Sequence, residues 1–135
     1  MRVYVAMLVD ELAQVLVSGH LPQRAAHGVT PGLRALDPGA DDEDLEFEAM
    51  CQALDAARSL GSGRRVVAAA DAPEREARTD GGAGSALLED ETGLPLSDVV
   101  SFHVEEGAGS VGTGYDDLLW YDVTELSDLV RPAAR

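Results

Sequence analysis

The sequence contains no lysine, asparagine or isoleucine, one cysteine and few aromatic residues. The single cysteine, Cys51, excludes an internal disulfide and any zinc site built from several cysteines. Aromatic residues make up 4% of the 135 positions, so valine, leucine and alanine must supply most of the core. No apolar run approaches the roughly 20 residues of a membrane span, and the N-terminus resembles a strand rather than a secretory leader. We therefore expect a cytoplasmic protein that does not enter a membrane.

Positive charge is also scarce, since ten arginines oppose 25 acidic residues and the net charge is −15. Arginine without lysine indicates a GC-rich genome, and a salt-adapted acidic surface is the alternative explanation. A chain this acidic repels phosphate backbones, so we expect no direct binding of nucleic acid. The charge is compatible with a basic protein partner, with mimicry of nucleic acid, or with solubility alone.

The spacing of apolar residues predicts strands and helices in one domain over residues 1–135. The predicted strands are 2–7, 25–29, 64–71, 99–105 and 118–123, and the predicted helices are 8–18, 30–36, 41–60 and 124–130. Thr30 and Pro31 fit a helix cap and first helical residue, Gly19 fits a helix end, and Phe47 belongs to the apolar stripe of the long helix. The sum is an α/β (α+β) fold, with one mixed β-sheet of about five strands and helices packed on it. We expect right-handed strand–helix–strand crossovers in its first half and antiparallel hairpins in its second.

The segment LLWYDV, residues 118–123, holds the only tryptophan, Trp120. Leu119 and Tyr121 alternate with Leu118 and Trp120, so both faces of a strand would be apolar. A strand that is apolar on both faces belongs in the interior of a sheet. We therefore expect this segment to be a central strand that is covered on both sides.

Two stretches rich in glycine, proline or charge, near 73–95 and 106–116, predict flexible loops. The second contains GAGSVG, residues 107–112, which matches the dinucleotide-binding pattern G-x-G-x-x-G. In that motif a helix begins at the third glycine, whereas here the chain leads into a strand and two glutamates precede the glycines. We therefore interpret GAGSVG as a hairpin connection and expect no nucleotide cofactor.

Three residues are candidates for chemistry: Asp71, His103 and Glu105. Asp71 ends an apolar strand, and in open α/β sheets ligands bind beyond the carboxyl ends of the strands. The simpler interpretation is that Asp71 begins a turn. His103 and Glu105 form an H-x-E pair on one face of a strand, which offers two metal ligands, and His20 or His27 would have to supply a third. We assign no residue to catalysis, to a cofactor or to a metal, because the sequence places no second group beside any of them.

Three further features have a structural interpretation. Cys51 lies within the long helix and resembles a small apolar core residue. The acidic cluster at 41–44 suits the first turn of that helix, where the helix dipole favours negative charge. Asp122 lies in the final strand, and we expect it to pair with Arg64 or Arg65 rather than to act in catalysis.

Four segments together resemble a family of small actinobacterial proteins. These segments are MRVYV at 1–5, VTPGLR at 29–34, RRVVAAADAP at 64–73 and LLWYDVTEL at 118–126. That family is catalogued only as a domain of unknown function. The likeness extends along nearly the whole chain in the same order. It implies a single-domain cytoplasmic protein of an actinobacterium and carries over no catalytic residues.

These observations lead to three hypotheses about function. The first is a small acidic module that binds a protein partner, with a homodimer as one form of that binding. The second is a metal-dependent hydrolase or another small enzyme, whose fold brings Asp71, His103 and Glu105 together. The third is a nucleic-acid mimic. We favour the first, a non-enzymatic role, because the sequence assembles no catalytic constellation.

Overall fold

The structure is a computed structural model, and it describes residues 1–74, 76–77, 83–88, 93–105 and 118–130. The strands are β1 (Arg2–Leu8), β2 (His27–Gly28), β3 (Arg65–Asp71), β4 (Val99–Val104) and β5 (Leu119–Asp122). The helices are α1 (Leu12–Ser18), α2 (Pro31–Leu36), α3 (Asp42–Ala56) and α4 (Leu126–Val130). Short 3₁₀ turns occupy Val9–Glu11, Ala57–Leu60, Leu96–Asp98 and Val123–Glu125.

The five strands form one sheet in the order β2-β1-β3-β4-β5. This confirms an α+β fold with a single five-stranded sheet. Every described pairing is antiparallel, so the prediction of a mixed sheet with parallel crossovers is wrong. The crossover does not form because the chain after α1 returns to β1 itself, where β2 pairs antiparallel with it. β1 and β3 pair along their full length, from Arg2 opposite Asp71 to Leu8 opposite Arg65.

Helices pack on both faces of the sheet. On the α1–α4 face, those two helices cover strand residues that include Val5, Val66 and Phe102. On the α3 face, helices α2 and α3 cover strand residues that include Tyr4 and Ala69. Full burial of one valine, leucine or phenylalanine stabilises the fold by about 1.5–3 kcal/mol, so these two layers supply most of its stability.

The ends of the helices follow the local sequence. Thr30 accepts a backbone N–H from the first turn of α2 at 3.0 Å, and Asp41 does the same for α3 at 2.9 Å. Gly19 ends α1 in the left-handed conformation, with φ 78°. Thr30 and Gly19 confirm the helix ends predicted at those residues. The other ends differ, since α1 begins at Leu12 rather than at residue 8, Asp41 precedes α3 as its cap, and α3 stops at Ala56 and continues as a 3₁₀ turn. None of the described helices is both long and apolar enough to span a membrane.

The aromatic strand β5 lies at the edge of the sheet, so the prediction that it is a central strand is wrong. Its alternation is as predicted, since Tyr121 packs toward the α1–α4 core and Leu118 packs toward the α3 core. The middle strand is β3, whose residues Arg65–Ala70 are all buried. The prediction assumed that apolar residues on both faces of the segment would be buried. Trp120 is instead 61% exposed, so one of these faces is open to water.

The two predicted loops fall largely outside the described residues. The loop near 106–116 lies wholly outside them, and the loop near 73–95 is described only in part. Within the latter, residues 86–88 extend along the outer side of β2. The N–H of Gly28 bonds to the C=O of Ala86 at 2.8 Å, and the N–H of Leu88 bonds to the C=O of Ala26 at 2.9 Å. This segment therefore covers the β2 edge of the sheet.

Candidate functional site

The structure spreads the three candidate residues along the sheet. Asp71 ends β3, whereas Glu105 lies beside Arg65 at the start of the same strand. A strand of this length spans ~20 Å, so the two carboxylates lie at opposite ends of the sheet. His103 lies between them, opposite Val67. The fold therefore does not bring Asp71, His103 and Glu105 together as the hydrolase hypothesis requires.

Asp71 forms an ion pair with β1. Its Oδ1 accepts a hydrogen bond from Arg2 Nε at 2.8 Å, and the two residues lie opposite each other in the sheet. The Asp71 side chain is 64% exposed, so water screens the pair and its contribution to stability is small. The main consequence is local, because Asp71 offsets the charge of Arg2 at the end of the α3 face.

Glu105 is buried and stabilises the start of β3. Its carboxylate accepts hydrogen bonds from the Arg65 backbone N–H at 2.8 Å and from Arg65 Nη2 at 2.7 Å. Burial alone would raise the pKa of Glu105, but the hydrogen bonds and charge of Arg65 outweigh burial and hold the pKa below its usual value. The predicted pairing of Asp122 with Arg64 or Arg65 is wrong, because both arginines bind Glu105. Arg64 donates to the backbone carbonyl of Glu105, and Arg65 donates to its carboxylate. Asp122 instead accepts the backbone N–H of Thr124 at 3.0 Å and begins a 3₁₀ turn.

His103 is half-buried on the α3 face of β4. Its Nε2 lies 3.0 Å from Ser101 Oγ, and Trp120 of β5 lies directly opposite it. Burial lowers the pKa of His103 and the charge of Arg2 lowers it further, so the imidazole is neutral at neutral pH. Ser101 is only 3% exposed. The pair therefore orients the imidazole and does not present a serine nucleophile to solvent.

A groove of about 320 Å³ opens beside the part of the sheet that α3 covers. Helix α3 packs mainly over β1, β2 and β3, and the groove continues the same face onto β4 and β5. Its floor includes Tyr4, Ser101 and His103, and its aromatic walls are Phe47 of α3 and Trp120 of β5. We call this feature the Trp120 groove. Phe47 is 42% exposed, so its predicted place in the core stripe of the helix is wrong.

A bulge in β4 determines which valine reaches the groove. Ala69 pairs with Ser101, whereas Ala70 pairs with Val99, so Val100 is an extra residue in β4. Val99 consequently packs in the core of the α1–α4 face, and Val100 lines the groove. Strict alternation would have placed these two residues the other way round.

Carboxylates dominate the charge around the Trp120 groove. Glu43 and Glu46 line it from α3, and Arg2 reaches it from β1 with Asp71 as its ion-pair partner. Among the described residues, two carboxylates line the groove, and a third, that of Asp71, pairs with its one guanidinium. Burial and then the charge of Glu46 raise the pKa of Tyr4 to about 12, and the opposing effect of Arg2 is smaller than that of Glu46. The groove thus combines exposed aromatic walls with a negative field.

A second cleft, of about 590 Å³, adjoins the Trp120 groove and shares Arg2 and Glu46 with it. Its other charged residues are Arg34, Asp42, Glu74 and Glu76. Arg34 Nη2 bonds to Asp42 Oδ1 at 2.9 Å. The acidic surface therefore continues from the groove along the first turn of α3.

The remaining candidates do not form a site with one another. His27 is buried opposite Tyr4 in the sheet, its Nδ1 has no hydrogen-bond partner, and burial lowers its pKa to about 4. His20 is exposed and its Nδ1 lies 3.1 Å from a backbone carbonyl, while Cys51 is buried in α3. Within the part of the chain that the structure describes, no three His, Cys, Asp or Glu side chains are arranged to hold a metal ion. The GAGSVG segment lies outside that part.

The fold and the groove define a small acidic α+β protein built on a five-stranded antiparallel sheet. The chain belongs to a family of unknown function, DUF6912, whose model matches residues 1–130. This match confirms the resemblance to a domain of unknown function. Comparison of the chain with curated proteins and with solved structures gives no match.

Proposed function

We propose that this protein is a binding module that receives a basic segment of a protein partner in the Trp120 groove. The observation that carries the proposal is the indole of Trp120, which is 61% exposed in a groove that Glu43 and Glu46 also line. Tryptophan is one of the residues that dominate binding energy at protein interfaces, and its ring face attracts arginine and lysine. A solvated indole bordered by carboxylates therefore fits the cationic group of a partner.

Charge supports a basic partner at two scales. Around the groove, three carboxylates oppose one guanidinium, and over the whole chain the net charge is −15. Complementary charge accelerates association and discriminates against wrong partners. Phosphate backbones carry the same sign as this surface, so nucleic acid does not fit it. As part of the same proposal we place the protein in the cytoplasm of an actinobacterium. The lysine-free composition indicates a GC-rich genome, which fits that source.

Fluorescence of Trp120 tests the proposal, because this residue is the only tryptophan. A short synthetic peptide with alternating arginine and valine is titrated into the protein, and a peptide with glutamate in place of arginine is the control. We expect a saturable change in emission with the arginine peptide alone. The affinity should fall as salt is added, because salt screens exposed charges.

Matched variants assign the binding to the groove. Glu43→Gln and Glu46→Gln should each weaken binding about three- to tenfold, since each removes a carboxylate that lines the groove. Glu48→Gln removes an exposed carboxylate from the same helix but outside the groove, and it should leave the affinity unchanged. Equal binding of the two peptides, or equal affinity of all three variants and the unaltered protein, would contradict the proposal. If DNA displaced the protein from a basic DNA-binding protein while the peptide left Trp120 emission unchanged, mimicry would replace it.

A further inference from the structure

The hydrogen-bond pattern shows which backbone groups of β5 face away from the sheet. The N–H of Glu105 bonds to the C=O of Arg65 in β3 at 3.0 Å. Backbone N–H and C=O groups alternate in direction along a strand, so those of Phe102 and Val104 in β4 point toward β5. Their partners in β5 are Tyr121 and Leu119. The N–H and C=O of Trp120 therefore point away from β4, toward the outer edge of the sheet.

The two edges of the sheet differ in how they are covered. Residues 86–88 cover β2, whereas no described residue pairs with the outer side of β5. Proteins commonly protect an exposed edge with proline or lysine, and the β5 sequence LWYD contains no proline or basic residue. Among the described residues nothing covers this edge, and an exposed sheet edge is where the backbone of another chain can add a strand.

We infer that the basic segment of the partner binds as an additional β-strand along the outer edge of β5. The inference rests on the proposed function and adds the geometry of the complex. A strand at this edge lies ~4.8 Å from β5 and directs alternate side chains to the two faces of the sheet. One set lies on the α3 face beside Trp120, where the long side chain of an arginine can extend toward the groove, and the other set lies on the α1–α4 face with the half-buried Tyr121, Leu129 and Val130. The recognised segment therefore alternates basic and apolar residues.

The charge of the chain selects a foreign basic segment over a second copy of this protein. Two copies that joined through their β5 edges would each contribute a net charge of −15. Within β5 itself the only charged residue is Asp122, so the edge offers no cation to a second copy. Like charges oppose each other across such an interface, whereas an arginine-bearing strand is complementary to it.

Methylation of the peptide backbone tests strand addition without changing any side chain. Two versions of the arginine–valine peptide are made, one N-methylated at the arginine amides and the other at the valine amides. Only one of these two sets of amides faces β5 in a bound strand, because N–H groups alternate in direction. We expect one version to bind at least about tenfold more weakly than the unmodified peptide and the other to bind nearly as well. The arginine set is the sensitive one if the added strand is antiparallel, since residues directly opposite each other share a face.

Hydrogen exchange supplies a second measurement on the intact protein. Binding of the unmodified peptide should slow exchange of the Trp120 backbone amide, which faces the open edge. Equal affinity of the two methylated peptides, or unchanged exchange at Trp120, would overturn strand addition and leave the proposed function in place. Failure of the unmodified peptide to bind would overturn both. A stable dimer in light scattering, with Trp120 already protected in the absence of peptide, would show that a second copy occupies the edge and would overturn the choice of a basic segment.

Discussion

Replacing Glu105 with glutamine tests whether this candidate residue is structural. The Glu105 side chain is 3% exposed and that of its partner Arg65 is 8% exposed, so the charge pair is almost fully buried. Glutamine retains the size and can still accept the Arg65 backbone N–H, but it removes the negative charge beside a buried guanidinium. Breaking a buried ion pair from one side costs about 3–5 kcal/mol. We expect a loss of ~3 kcal/mol in the free energy of unfolding, since one hydrogen bond survives.

Urea unfolding at neutral pH measures this loss. The control is Arg34→Gln, which breaks the pair with Asp42 whose side chains are 54% and 75% exposed, and it should cost less than ~1 kcal/mol. The pKa of Glu105 is lowered in the folded protein from 4.5, so its contribution is present above that value and is lost as the pH falls through the folded pKa. The difference between Glu105→Gln and the unaltered protein should therefore shrink in acid. Equal stability of the two at neutral pH would refute the reasoning.

Three further predictions follow from exposure and charge. His27→Leu removes a buried base whose pKa is about 4 in the folded protein and 6.5 when unperturbed. The free energy of unfolding of the unaltered protein should therefore fall by up to ~3 kcal/mol as the pH drops from 6.5 to 4, and that of the variant should not show this loss. The same pH dependence of urea unfolding in both proteins would contradict this prediction. Glu46→Gln should lower the pKa of Tyr4 from about 12, because the negative charge of Glu46 raises it, and an absorbance titration measures the change. An unchanged pKa would show that Glu46 does not contribute to the negative potential in the groove. Trp120→Ala should change stability by less than ~1 kcal/mol, because the side chain is largely exposed, yet abolish peptide binding measured by titration calorimetry, which does not depend on the tryptophan. Retained binding would remove Trp120 from the site.

Local structure could be predicted from the sequence because its causes lie within a few residues. Thr30 and Gly19 act on the backbone of their own helix ends, and each occupies the predicted position, whereas Asp41, predicted in the first turn of the long helix, is its cap. The apolar run at 64–71 also forms the predicted strand, and the structure places it in the middle of the sheet with Arg65–Ala70 buried. Strand order and direction depend instead on which distant strands meet. Alternation alone therefore assigned β5 to the centre of the sheet and left the antiparallel return of β2 unpredicted.

The groove was missed because its parts come from separate elements. Phe47 and Trp120 each fit an apolar stripe when considered alone, and only the fold leaves both in contact with water. A usable signal was present in β4, where Ser101 and His103 alternate with apolar residues and so indicate a polar face. Combined with the position of Trp120 opposite His103, that polarity marks the open part of the sheet. The pairing itself could not be known from a single sequence.

A map of N–H chemical shifts in the intact protein, recorded as the arginine–valine peptide is added, tests the central claim most directly. We predict that the largest changes fall on the Trp120 indole, on His103 and on the turn of α3 that carries Glu46, which all line the groove. Helix α1, whose exposed apolar residues Leu16 and Val17 offer another surface, should be unaffected. Changes centred on α1, with the Trp120 indole unmoved at saturation, would contradict the account.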